Sequence, residues 1–139
     1  MYLFDTDALS QIIKKSPSIS FIRRLSSLDP DKQFTTAITV GELVYGAYKS
    51  DRPQYFIEKL DRYVWPNVQV LPFDEDSAKV FGRLKAELEK KGTPLTEADL
   101  RIASIAIHHG LTVITGNTKH FSKIKELLIE DWIHEGVSV

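Results

Sequence analysis

Apolar residues fall along this chain in five short runs, separated by longer stretches with helical spacing. The runs are Tyr2-Leu3-Phe4, Phe34-Thr35-Thr36, Val68-Gln69-Val70-Leu71, Leu111-Thr112-Val113-Ile114-Thr115 and Leu127-Leu128-Ile129, each the length of a short strand. After Thr39, the residues Val40, Leu43, Val44, Ala47 and Tyr48 recur at i, i+3, i+4, i+7 and i+8, one core-facing stripe of a helix. Val80, Phe81, Leu84 and Leu88 repeat that spacing between Asp74 and Lys91, and Gly92 followed by Pro94 ends it. From Leu100 to Ile107 the pattern is apolar almost all round, which predicts a helix buried against a sheet. Strands alternating with helices predict an α/β fold with a mainly parallel sheet covered on both faces. No repeat or long linker divides the chain, so residues 1–139 read as one domain.

Composition narrows the function. The chain has 139 residues and no cysteine, which excludes thiolate catalysis, Cys-ligated zinc, iron–sulfur chemistry and a disulfide-stapled scaffold. No run reaches the ~18 apolar residues of a membrane span, and the opening MYLFDTDALS lacks the basic-then-apolar order of a signal peptide. A cytoplasmic protein without membrane contact is expected. Eighteen Lys+Arg balance 19 Asp+Glu to a net charge of −1, so a nucleic-acid partner needs a local basic patch rather than a global field.

The candidate chemistry sits at element ends. Asp5 and Asp7 follow the first apolar run, and in a parallel sheet the carboxyl ends of strands open onto the ligand crevice. Either acid could instead cap the helix beginning near Ala8. Thr39-Val40-Gly41-Glu42 and Thr96-Glu97-Ala98-Asp99 both have capping-box spacing. Yet Glu42 lies almost opposite the apolar stripe of its helix, and Asp99 stands at the mouth of a buried one, where an unpaired charge is costly. Thr115 and Asn117 flank Gly116 at the end of the fourth run, where a sharp turn is expected. His120 lacks a second His at metal-binding spacing, and His108-His109 read as partners of a helix C-terminus. An oxygen-only set drawn from Asp5, Glu42 and Asp99, with Asp7 and Asn117 beside it, suits Mg²⁺ or Mn²⁺ better than zinc or copper. Carboxylate-held magnesium serves phosphodiester hydrolysis.

Four segments carry a resemblance: LFDTDALS, TAITVGELVYGA, PLTEADLRIASIAIHHGLTVITGNTKHF and the terminal Ile129-Glu130-Asp131-Trp132. In this order and spacing the chain resembles the PIN-domain ribonucleases, and among them the VapC-like toxins of toxin–antitoxin pairs. The resemblance implies a three-layer α/β/α sandwich with a mainly parallel sheet of about five strands. It implies a Mg²⁺- or Mn²⁺-dependent endoribonuclease in which Asp5, Glu42 and Asp99 hold the metal. Asn117 would complete the catalytic set, and Asp7 and Thr115 would support it. It further implies an RNA substrate, a homodimer, and a small cognate antitoxin whose basic tail enters the acidic cleft. Arg23, Arg24, Lys119 and Lys123 are the candidate phosphate contacts, and Trp65 and Tyr63 candidate interface aromatics. Two alternatives remain on the sequence alone. One is an aspartyl-phosphate-type phosphatase with Asp5 as nucleophile, which Leu9 disfavours; the other is a catalytically inactive PIN-like module that binds RNA or protein.

Overall fold

Leu3 and Phe4 are neighbours in sequence yet belong to different layers. Leu3 packs with Val113, Leu84, Leu88 and Ile105, whereas Phe4 packs with Ile114, Leu9, Phe21, Leu43 and Trp132. Successive side chains of a strand face opposite ways, so the central strands are buried on both sides and read as unbroken apolar runs. The computed structural model describes residues 1–134; residues 135–139 of the expected domain lie outside the described residues.

Five parallel strands form the sheet: β1 (Tyr2–Phe4), β2 (Gln33–Thr36), β3 (Gln69–Leu71), β4 (Thr112–Ile114) and β5 (Ile129–Glu130), in the order β3-β2-β1-β4-β5. In register, Leu3 pairs with Phe34 on one side and Val113 on the other. Helices α1 (Thr6–Ile13), α2 (Ile19–Ser26), α3 (Ala37–Lys49) and α4 (Pro53–Lys59) supply the Phe4 face. Helices α5 (Glu75–Lys90) and α6 (Glu97–His109) cover the Leu3 face, and the short α7 (Thr118–Phe121) follows β4. This is the three-layer α/β/α arrangement with a five-stranded sheet that the sequence led one to expect. Because β2 and β3 lie on one side of β1 and β4 and β5 on the other, the strand order switches direction beside β1, where open α/β sheets bind ligands.

Several local expectations shift. α3 begins at Ala37 because the Thr36 hydroxyl, at the end of β2, accepts the Thr39 N–H at 3.1 Å. The capping box expected at Thr39 and Glu42 is therefore not the one used: Thr39 is buried in the first turn, and Glu42 lies beyond it. The expected stripe also ends early, since Leu43 and Ala47 are buried but Tyr48 is exposed. α1 starts at Thr6 rather than Ala8, with Asp5 as its cap. Trp65 is half-buried against the Phe4-side cluster, which removes it as a free interface aromatic, while Tyr63 is exposed.

Candidate active site at the carboxyl ends of the central strands

Asp5 directly follows β1 and Thr115 directly follows β4, and the two strands run side by side, with the Asp5 N–H donating to the Ile114 carbonyl at 3.2 Å. Asp5 caps α1, as one of the two sequence readings has it, and also lies at the strand end. Its Oδ1 accepts the Ala8 N–H at 2.8 Å, which caps α1, and its carboxylate is buried at the strand end beside Asp7 and Asp99. Asp7, the second residue of α1, is exposed, and its carboxylate leaves no room for a side chain on Gly116. From α3, Glu42 points out of the core as its place on the helix predicts, and its Oε1 accepts the Thr6 hydroxyl at 2.5 Å. Thr6 also lies 3.3 Å from the Thr39 hydroxyl, so the two helix starts are tied together. From α6, Asp99 donates its N–H to the Thr96 hydroxyl at 3.2 Å, while its Oδ2 lies 3.6 Å from His120 Nδ1. The Asn117 N–H donates to the Thr115 hydroxyl at 2.9 Å, and its side-chain amide meets His120 Nδ1 at 2.8 Å.

Burial pushes the Asp5 carboxyl from 3.8 up to about 7, and the charges of Asp7 and Asp99 push the same way. The Thr115 hydroxyl and the Ala8 N–H oppose them by favouring the ionised form. A buried carboxylate with acidic neighbours is stabilised by a cation, and the groups nearest it are carboxylates and a hydroxyl, with the His120 imidazole beyond Asp99. The residues thus fit a hard divalent ion. Among the described residues, the group of His, Asp and Glu donors whose ligand atoms all lie within 4.8 Å of one another is Asp74, His108 and His109, away from this cleft. Asp5, Glu42 and Asp99 stand further apart than that, with Glu42 held toward Thr6 and Asp99 toward His120.

Thr6, Thr39 and His120 are the members that the sequence reading did not assign. Thr6 could have been found as the residue between two acids on a helix start, whereas His120 is brought to Asp99 only by the packing of α7 on the sheet edge. His108 and His109 do end α6 as expected, ahead of Gly110 in its left-handed cap, and His108 also stands 4.0 Å from both Asp74 and Asp76. Two of the expected phosphate contacts are engaged elsewhere. Arg24 lies 3.4 Å from Glu130 and stacks on Trp132 at 4.4 Å, and the Lys123 ammonium reaches the Pro94 carbonyl at 3.5 Å. Leu9 is fully buried, so it offers nothing to a phosphatase-type site.

Residues 2–127 match the PIN domain family. The chain belongs to that family. Among PIN-domain proteins it is similar to the tRNA(fMet)-specific endonuclease VapC of Salmonella typhimurium, at 34% identity over 94% of this chain and 97% of that one. Its fold is similar to that in a crystal structure of VapBC2 from Rickettsia felis bound to a promoter DNA fragment, with a TM-score of 0.86 and 32% identity over 94% of this chain and 98% of the other. A toxin–antitoxin complex from Klebsiella pneumoniae is also similar, with a TM-score of 0.68 and 25% identity over 92% and 96% of the two chains.

Proposed function

We propose that this PIN-domain protein is a metal-dependent endoribonuclease and the toxin of a toxin–antitoxin pair, acting as one domain through Asp5, Glu42, Asp99 and Asn117 with Asp7 and Thr115 in support. The observation that carries this reading is the buried Asp5 carboxyl at the switch point of the sheet, with Asp7 and Asp99 close enough to raise its pKa. Mg²⁺, or Mn²⁺ in its place, is the ion proposed for Asp5, Glu42 and Asp99. When bound, such an ion lowers the pKa of water and offsets the charge that builds on phosphorus.

The residues do the rest. Glu42, exposed and fixed by the Thr6 hydroxyl, accepts the proton of the attacking water. The water oxygen bonds to phosphorus while the bond to the 3′ oxygen breaks, and that oxygen leaves with a proton from solvent. Thr115 favours the ionised form of Asp5. Asn117, held by His120, keeps a second amide hydrogen for a phosphate oxygen.

The acids crowding this cleft suit a basic antitoxin tail and repel RNA until a cation is present. Likeness to VapC and to toxin–antitoxin complexes supports the antitoxin partner, and a homodimer is proposed beside it. Among the described residues no helix is long and apolar enough to cross a membrane. We place the protein in the cytoplasm because its RNA substrate is there. Protein freed of antitoxin should cut RNA with Mg²⁺ or Mn²⁺ and stop with EDTA; full activity after exhaustive chelation overturns the metal mechanism. Expression alone should arrest growth, and a small basic-tailed neighbour should co-purify.

A further inference from the structure

The sequence demands a local basic patch for any nucleic acid, and the structure builds one where the chain alone did not show it. Between α1 and α4 lies a groove of about 690 Å³ lined by Lys14, Lys15, Arg52 and Lys59 around Tyr55. Among the described residues none of these four cations has a carboxylate partner within 4.0 Å, unlike Lys79, Arg83, Lys85 and Arg101 on α5 and α6, each of which has one. Four like charges in one groove with no carboxylate among them repel one another, which favours an anion there.

Tyr55 holds two of them. The Arg52 guanidinium sits 4.2 Å and the Lys59 ammonium 4.8 Å from the centre of its half-exposed ring. Hydrogen bonding by Lys59, then the charges of Lys59, Arg52 and Lys15, hold the phenol below its usual pKa. The groove also adjoins the cleft: it shares Ile13 and Phe56 with the apolar recess that Glu42 borders. At ~1.5 Å per residue, Lys14 stands roughly 12 Å along α1 from Thr6, a distance that a few nucleotides span.

We propose that Lys14, Lys15, Arg52 and Lys59, which line one groove with Tyr55, form a subsite that tracks the phosphates of the RNA strand leading away from the catalytic acids. Cations plus an aromatic ring are the recurring apparatus for single-stranded nucleic acid, the charges following the backbone and the ring or an Arg plane taking a base. An acidic protein segment would need the charges but not the ring. The inference rests on the endoribonuclease reading, yet its test is separate from cleavage.

The test is binding of a fluorescein-labelled oligouridylate to antitoxin-free protein in EDTA, read by anisotropy at several salt concentrations. The triple variant Lys14→Gln/Lys15→Gln/Arg52→Gln should bind at least tenfold more weakly, and its log–log salt slope should be shallower by about 0.7 per lost phosphate contact. Tyr55→Ala should weaken binding severalfold and Tyr55→Phe recover most of it, since the ring supplies the face for a base and for the Arg52 guanidinium. Because all four residues touched are exposed or at a groove, unchanged melting temperatures check that the variants fold. Equal affinity and equal salt slope for wild type and triple variant overturn the subsite, whether or not the protein cleaves RNA. Displacement of the RNA by polyglutamate at matched charge concentration, with no effect of Tyr55→Ala, also overturns it and marks a protein-docking surface instead. A wild type that binds through the patch but cuts no RNA with Mg²⁺ or Mn²⁺ keeps the subsite and sinks the nuclease.

Discussion

Asp7 and Gly116 approach so closely that a Cβ on the glycine would stand 2.5 Å from the Asp7 Oδ2. The glycine is there for that contact and not for a left-handed turn, which among the described residues is found at Gly92 and Gly110. Gly116→Ala should therefore fold, at a cost of about 1–3 kcal/mol, while pushing the Asp7 carboxylate aside. RNA cleavage should fall tenfold or more, and Asp7→Ala added to Gly116→Ala should cost little further, because both remove one thing. Fully multiplicative effects in kcat/KM would show that Asp7 is not what the glycine protects.

The Asp5 carboxyl sets a pH dependence with a definite sign. Its folded pKa of about 7 lies above the ordinary 3.8, so the folded state holds the proton more tightly, and its contribution to stability falls as pH rises through that interval. Melting temperatures in EDTA should decline from acid toward neutral pH more steeply for wild type than for Asp5→Asn, a variant that keeps a good helix cap. Above neutrality Mn²⁺ should stabilise wild type and barely affect the variant.

Asp99→Asn separates capping from catalysis. Thr96 already caps α6, and the contact with His120 is partly exposed, so the loss in stability should be at most ~1 kcal/mol. As a metal ligand, Asp99 should matter far more: cleavage should drop by roughly 10³, since each ~1.4 kcal/mol of transition-state stabilisation is tenfold in rate. Near wild-type cleavage would leave it a helix-terminal acid and nothing else.

Thr6→Val removes the hydroxyl that holds Glu42 and leaves the shape of the side chain. If Glu42 must be aimed to accept a proton, kcat should fall about tenfold with little change in melting temperature, and Thr6→Ser should recover most of it. Equal loss in both substitutions would point to packing instead.

The fold was legible because the central strands alternate Leu3/Phe4 and Val113/Ile114 between two full cores, leaving continuous apolar runs that only a covered parallel sheet explains. Asp5 and Thr115 were legible for the same reason, as the residues next after those runs. What sequence could not supply was how separate elements meet. Thr39 matched a cap by spacing, but the cap is Thr36, because the strand runs straight into the helix there. His120 reaches Asp99 across 21 residues through the placement of α7, and no periodicity records that. The basic groove was missed because Lys14 and Lys15 sit about 40 residues from Arg52 and Lys59 in the sequence.

Trp132 is almost wholly buried against Tyr2, Phe4 and Phe21, and the Ser20 and Ser18 hydroxyls donate to the carbonyls of Trp132 and Ile133 across 112 and 115 residues. One of the two faces of β1 is thus sealed by a side chain that follows every other strand of the sheet in the sequence. Contacts of such separation form late, so a nascent chain stalled short of Trp132 holds the acids of the cleft on an unfinished scaffold.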